Sequence, residues 1–86
     1  METNRVCIEA IGSLAQQLGS KRLCREVSRC MSVEELLSRV FEEKSLYFDR
    51  GDVVVYHRGR VVDLDEDVCS FDEIVITRLV RGGSTL

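Results

Sequence analysis

The segment Ser32–Glu43 has the sequence SVEELLSRVFEE and predicts the main helix of the chain. Its apolar residues recur at i, i+3, i+4, i+7 and i+8, the spacing of one helix face. Ser32 and Glu35 have the spacing of a capping box, in which each side chain satisfies a free backbone donor of the other residue. We therefore expect an amphipathic helix over about residues 32–43 that packs on a sheet through Val33, Leu36, Leu37, Val40 and Phe41.

A strand, a short helix and a second strand are predicted before this helix. Arg5–Ala10 alternates apolar and polar residues, as a half-buried strand does. Ile11–Leu18 has the apolar spacing of one helix face, and Gly19 is a natural helix stop. A second strand is expected over Arg22–Ser28, although Arg25 falls on its apolar face.

Three further strands are predicted after the main helix. Asp52–Tyr56 is rich in valine, and His57–Arg60 predicts a turn in which Gly59 is free to adopt positive φ. Val61–Val62 is expected to return as a short strand, and Glu73–Val80 to form the final strand. This order of strands and helices predicts an α+β domain with one amphipathic helix covering a mixed sheet. We expect the first and last strands to be neighbours in its middle.

The composition limits the classes of function. The 86 residues predict one domain over 1–80 and a tail over 81–86, and so small a domain has little room for an enclosed active site. A net charge of −3 argues against nucleic-acid binding, which needs basic surface. No segment approaches the roughly 20 apolar residues of a membrane span. The polar N-terminus lacks the apolar core of a signal peptide, so we expect a cytoplasmic protein that binds no membrane.

The chain has four cysteines, and none of them forms a C-x-x-C pair. Its single histidine, His57, is far from every cysteine in the sequence. We therefore predict no metal site, and we expect buried or half-buried thiols at Cys7, Cys24, Cys30 and Cys69.

The C-terminal segment Arg81-Gly82-Gly83-Ser84-Thr85-Leu86 has no apolar periodicity and is predicted to be a mobile tail. Gly82 and Gly83 have no Cβ atom, so this part of the tail can pass through a narrow channel in another protein. A plain flexible terminus that happens to contain two glycines is the alternative.

The order of elements, ending in Gly-Gly, resembles the ubiquitin-like β-grasp superfamily over Arg5–Gly83. Residues 6–18 and the Ser32 helix are similar to the small subunit of molybdopterin synthase, which also has a helix after its first strand. Residues 53–64 and 71–83 are similar to the strand, turn and closing strand of ubiquitin, which ends in Leu-Arg-Leu-Arg-Gly-Gly. The resemblance extends to thiamine sulfur-carrier proteins and archaeal small modifiers. It implies a mixed sheet of four to five strands packed on the main helix.

The resemblance also implies a function, that of a protein carrier which is not itself an enzyme. The reactive group would be the carboxylate of Gly83, exposed after a protease removes Ser84-Thr85-Leu86, while Arg81 and Gly82 guide the tail. An activating enzyme would use ATP to adenylate Gly83, and the protein itself would bind no cofactor. The adenylate could then receive sulfur as a thiocarboxylate, for transfer to a cofactor or a tRNA within a synthase.

Two other functions remain open at this point. The same activated carboxylate could be joined to lysines of target proteins, which would make the chain a protein modifier. Retention of Ser84-Thr85-Leu86 would instead indicate an interaction module with an inert tail. The presence of these three residues differs from the C-terminus of sulfur carriers, which usually end at Gly-Gly. Ubiquitin precursors, by contrast, often carry an extension that a protease removes.

The resemblance also suggests a docking surface and a disulfide. Tyr56 and His57, with Thr77 and Leu79 nearby, are candidates for a partner-binding face, and ordinary packing is the alternative. Cys7 and Cys24 share outward parity on two strands that pair in this fold. If the register places them opposite each other, a disulfide is compatible with the geometry.

Overall fold

The structure is a computed structural model that describes residues 4–27 and 30–79. Its elements follow one another in the predicted order, with a 3₁₀ turn over Val68–Ser70 that the sequence pattern did not predict. The final strand is shorter than predicted, and Val80 and the tail over 81–86 lie outside the described residues. The elements are β1 (Asn4–Ala10), α1 (Ser13–Leu18), β2 (Arg22–Val27), α2 (Val33–Glu43), β3 (Val53–His57), β4 (Arg60–Val62) and β5 (Glu73–Arg78).

The five strands form one mixed sheet in the order β2-β1-β5-β3-β4. β1 and β5 are parallel neighbours, with Ile8 opposite Ile74, and the remaining pairs of strands are antiparallel. The first and last strands therefore lie in the middle of the sheet, as predicted. Ile8, Ile74 and Ile76 are at most 1% exposed, because they point toward the helix-covered face.

Helix α2 covers this inner face with the five apolar residues that its periodicity predicted, all of them buried. Ser32 Oγ accepts the backbone N–H of Glu35 at 3.1 Å, as the cap predicts. Two further amides at the start of the helix are satisfied by the acidic loop over 63–67. The N–H of Val33 donates to Glu66 O at 2.9 Å, and that of Glu34 donates to Leu64 O at 3.0 Å. The loop thus caps the helix with its backbone carbonyls.

The hairpin between β3 and β4 turns over Arg58 and Gly59, since His57 and Arg60 are paired. Both turn residues have positive φ, 53° at Arg58 and 82° at Gly59. This combination is the signature of a type I′ turn, whose twist suits a two-residue hairpin. The predicted role of Gly59 is confirmed, whereas the positive φ of Arg58 has no signal in the sequence.

Two disulfides use all four cysteines, so the thiols expected from the sequence are not free. Cys7 and Cys24 are directly opposite on β1 and β2, with their Cα atoms 4.0 Å apart. Cys30 precedes α2 and is joined to Cys69 in the 3₁₀ turn across a Cα distance of 5.2 Å. The second bond connects two loops that are distant in the chain, which no sequence spacing indicated.

Candidate functional site

The last described residues of the chain are anchored to Asp52, which directly precedes β3, and to α1. The N–H of Leu79 donates to Asp52 O at 2.8 Å, and the Arg78 guanidinium donates to an Asp52 carboxylate oxygen at 2.8 Å. Arg78 also bonds the side-chain oxygen of Gln17 on α1. The position from which the predicted tail leaves the domain is therefore determined by β5, by the residue before β3 and by α1.

The face of the sheet opposite α2 is apolar where it reaches this site. Tyr56 on β3 is paired with Val75 on β5 and with Val61 on β4, so the three side chains share one row. Val54 and Thr77 form the next row. Val61 is 60% exposed, and the other four are half-buried. Since side chains alternate across a sheet, all five point away from the core.

Two more apolar residues extend this surface at the end of β5. Leu79 is 46% exposed and Ile11 is 49% exposed. The N–H of Ile11 donates to Ile76 O at 3.1 Å, which places Ile11 beside Thr77. This surface is the candidate protein–protein interaction site of the molecule. We call it the outer apolar patch: Ile11, Val54, Tyr56, Val61, Val75, Thr77 and Leu79.

Three of the four residues in the predicted docking surface lie in this patch, and His57 does not. Tyr56 faces outward on β3, so the next residue along the strand faces the other side. The His57 ring lies 4.9 Å from that of Phe71, which is buried. His57 Nδ1 is 2.9 Å from Glu73 O, and because a carbonyl can only accept, Nδ1 carries the hydrogen. His57 therefore ties the hairpin to the start of β5.

Four members of the patch were not predicted from the sequence: Ile11, Val54, Val61 and Val75. The period of two along each strand could have identified Val54 and Val75, which are two residues from Tyr56 and Thr77. Val61 and Ile11 belong to the patch through the pairing of β4 with β3 and of the β1 end with β5. Which strands pair depends on the tertiary structure, so the sequence pattern does not identify these two residues.

Charged side chains border the patch on the β1 side. Arg22 on β2 contacts Glu73 on β5 at 2.5 Å, crossing over β1. Glu9, Asp72 and Glu73 line a hollow of about 280 Å³ together with the hairpin residues Arg58 and Gly59. An apolar centre with a charged rim is the usual anatomy of a protein interface.

Residues 4–27 and 30–79 contain no group of three or more His, Cys, Asp or Glu side chains that could hold a metal ion. All four cysteines are in disulfides and are therefore not thiol nucleophiles. Within the same residues, no helix has both the length and the apolar character needed to cross a membrane.

The topology, an α2-covered sheet with parallel central strands β1 and β5, defines the ubiquitin-like β-grasp fold, and comparison with solved structures agrees. The small archaeal modifier protein 1 of H. volcanii superposes with a TM-score of 0.70 at 20% identity, covering 90% of this chain and 99% of that one. A putative molybdopterin converting factor, subunit 1, from Pyrococcus furiosus superposes with a TM-score of 0.67 at 20% identity, covering 87% of this chain and 94% of that one. The small archaeal modifier protein 1 of Methanosarcina acetivorans superposes with a TM-score of 0.64 at 12% identity, covering 99% of this chain and 100% of that one.

No protein-family model matches the chain, and no curated protein is similar to it in sequence. The likeness to the solved structures is at or below 20% identity, so it shows the fold alone.

Proposed function

We propose that this protein is a ubiquitin-like sulfur carrier whose tail, after removal of Ser84-Thr85-Leu86, presents the carboxylate of Gly83 to an activating enzyme. The observation that carries the proposal is the position of the outer apolar patch at the end of β5. Gly83 is four positions after Leu79, which belongs to this patch. An extended chain of that length reaches at most about 14 Å. A partner that covers the patch can therefore receive the carboxylate in an active site close by.

The proposed chemistry is that of an acyl carrier. The activating enzyme joins a Gly83 carboxylate oxygen to the α-phosphorus of ATP and releases pyrophosphate. A nucleophile whose sulfur is at the oxidation state of sulfide then attacks the acyl carbon and displaces AMP, which leaves a thiocarboxylate. The carrier supplies the carboxylate and the docking surface and binds no cofactor itself. A synthase large subunit would be its second partner, and Arg81 and Gly82 would guide the tail into both.

A second candidate function is conjugation of Gly83 to lysines of target proteins. It is favoured by the names of two of the solved structures above, which are called modifier proteins. Both functions share the adenylation step and differ in the nucleophile that follows it. Intact mass spectrometry of the protein from its own cells separates them. Replacement of one Gly83 oxygen by sulfur supports the carrier, and conjugates that survive reducing agent support the modifier.

The activation step is tested with three versions of the chain in ATP–pyrophosphate exchange with the activating enzyme. We expect exchange with a chain that ends at Gly83 and none with the full 86-residue chain, because that chain has no free carboxylate at Gly83. A chain that ends at Gly82 moves the carboxylate back by about 3.5 Å. Since a displacement of 1 Å can cost about 100-fold, exchange should fall by at least that factor. Undiminished exchange with the Gly82 chain would refute the proposal.

The docking role of the patch is tested by the substitution Val61→Asp. This change places a charge beside Tyr56 in the centre of the patch, so KM for the carrier in the exchange assay should rise about tenfold with kcat unchanged. Val61 is 60% exposed, so the free energy of unfolding should change little.

Ser38→Asp is the matched control for this substitution. Ser38 is exposed on α2, on the opposite side of the sheet, and the change adds the same charge. It should leave KM as in the wild type. An equal rise in KM for both variants would show that net charge, and not the patch, determines binding.

A further inference from the structure

Strand β2 forms an edge of the sheet, and half of its backbone groups are not paired with any described strand. It pairs with β1 on one side, and no described strand lies on its other side. A six-residue edge of this kind is a template for another strand.

The pairing of β1 with β2 shows which backbone groups face the free edge. The N–H of Cys7 donates to Asp72 O at 3.0 Å, toward the β5 side. Cys7 and its partner Cys24 are therefore a non-hydrogen-bonded pair of the antiparallel ladder. It follows that the N–H and C=O groups of Arg22, Cys24 and Glu26 point away from β1.

Side chains occupy part of this edge. Ser20 Oγ contacts both the N–H and the C=O of Arg22, at 3.2 and 2.8 Å. The Arg25 guanidinium donates to the carbonyl of Cys24 at 2.9 Å. Arg25 also contacts Glu43 on α2 at 2.5 Å, and this bond lowers the pKa of the Glu43 carboxyl. These contacts are exposed or half-exposed and can be exchanged for strand hydrogen bonds.

The outward side chains of β2 are complementary to those of a second, antiparallel β2. Arg22, Cys24 and Glu26 are on the same face of the sheet, because they are two residues apart. If two copies pair around Cys24, Arg22 of each copy lies opposite Glu26 of the other. Glu26 is exposed and forms no ion pair among residues 4–27 and 30–79. Opposite charges in directly facing positions stabilise a pair of strands.

We propose that two copies of this chain associate through β2 in an antiparallel, two-fold arrangement centred on Cys24, which extends the sheet from five to ten strands. In this register the outward groups of Arg22, Cys24 and Glu26 meet in hydrogen-bonded pairs. The contact is isologous, so it closes at a dimer and does not propagate into a fibre.

Two other features of the structure fit this arrangement. A shallow groove between β2 and α2 opens at the same edge and is lined by Val27, Met31, Leu36 and Val40, with charged residues at its rim. The second copy would lie along it. The outer apolar patch lies on β3, β4 and β5 and at the end of β1, and none of its residues is on β2, so it stays exposed in the dimer. The dimer would thus present two tails, and it does not depend on the proposed function.

Sedimentation equilibrium of the full chain tests the proposal, combined with amide hydrogen exchange. A contact this small is a weak one, so we expect the apparent mass to approach twice 9.8 kDa between about 20 μM and about 1 mM. Over that range the amides of Cys24 and Glu26 should become protected. The amides of Leu23 and Arg25 already bond β1, so they should be protected throughout and serve as an internal control.

Charge reversal identifies the register. In Glu26→Arg alone, Arg22 faces an arginine, and in Arg22→Glu alone, Glu26 faces a glutamate. Each variant should therefore dimerise at least about tenfold more weakly than the wild type. An equimolar mixture places opposite charges at both positions, so the mixed dimer should form with an affinity near that of the wild type. Circular dichroism and the urea midpoint verify that each variant is folded.

Three outcomes would overturn the proposal. One is an apparent mass that stays at 9.8 kDa up to about 1 mM. Another is a dimer that leaves the exchange of the Cys24 and Glu26 amides unchanged, which would place the contact on another surface. The third is a mixture of the two variants that associates no better than either variant alone.

Discussion

Replacing both Cys30 and Cys69 by alanine should lower the free energy of unfolding by about 4 kcal/mol. The bond joins residues 39 positions apart, and the entropy that it removes from the unfolded chain grows with the logarithm of that separation. The bond between Cys7 and Cys24 spans only 17 positions, so the same change there should cost about 3 kcal/mol through loop closure. The stability of a whole domain is about 5–15 kcal/mol, so loss of both bonds would remove much of it.

Urea unfolding of the oxidised proteins, monitored by circular dichroism, measures these losses. The matched control is the same comparison of variant and wild type in reducing agent, where neither protein has the bond. There the Cys30→Ala/Cys69→Ala variant should differ from the wild type by only about 0.5 kcal/mol, since both positions are exposed. A loss of equal size in the two conditions would contradict the loop-closure explanation and assign the effect to side-chain packing.

The disulfides also bear on the predicted location. Structural disulfides persist in oxidising compartments and, within the cytosol, mainly in hyperthermophiles. The cytoplasmic location remains a prediction. Thiol alkylation of freshly lysed source cells, followed by mass spectrometry, shows whether the four cysteines are paired where the protein works.

Replacing Phe41 by alanine should destabilise the protein by about 4 kcal/mol, within the range of buried Phe→Ala changes. Phe41 is 0% exposed on the inner face of α2. Its ring packs edge-on against that of Phe48, with the ring centroids 5.2 Å apart. The cost has three parts: the favourable free energy of transferring the ring from water into the core, the contact between the two rings, and the cavity that remains.

Tyr47→Ala provides the control for this substitution, because it removes an aromatic ring of similar size from the loop after α2. Tyr47 is 84% exposed, so the free energy of unfolding should change by no more than about 0.5 kcal/mol. Both values come from urea unfolding with the disulfides intact. Similar losses for the two variants would show that α2 is not docked on the sheet as described.

The fold was predictable because its elements have strong local signals. Helix α2 has a complete apolar face and a serine cap, and β3 is a run of valines that ends at a glycine turn. Such signals depend on residues three or four positions apart in a helix and two apart in a strand. The 3₁₀ turn over Val68–Ser70 was missed because it depends on distant partners. The N–H of Val68 donates to Met31 O at 2.8 Å, and the adjacent Cys69 is joined to Cys30.

The candidate site was predictable only in part. The predicted docking surface includes three residues of the patch, Tyr56, Thr77 and Leu79. It also includes His57, because the resemblance indicated the strand and not which of its side chains faces outward. Neighbours on a strand point to opposite faces, and His57 packs on Phe71. The tail residues Arg81, Gly82 and Gly83 lie outside the described residues, so their role stays a prediction that the exchange assay can decide.

The sequence by itself determined the type and order of the strands and α-helices, the buried face of α2 and the Gly82-Gly83 pair, because these are encoded by short-range periodicity and by residue identity. Only the tertiary structure decided the pairing of Cys30 with Cys69, the outer apolar patch and the free edge of β2. Each of these depends on which strands and loops become neighbours. The core decides which elements become neighbours, because its buried residues come from distant parts of the chain, from Val6 on β1 to Ile76 on β5.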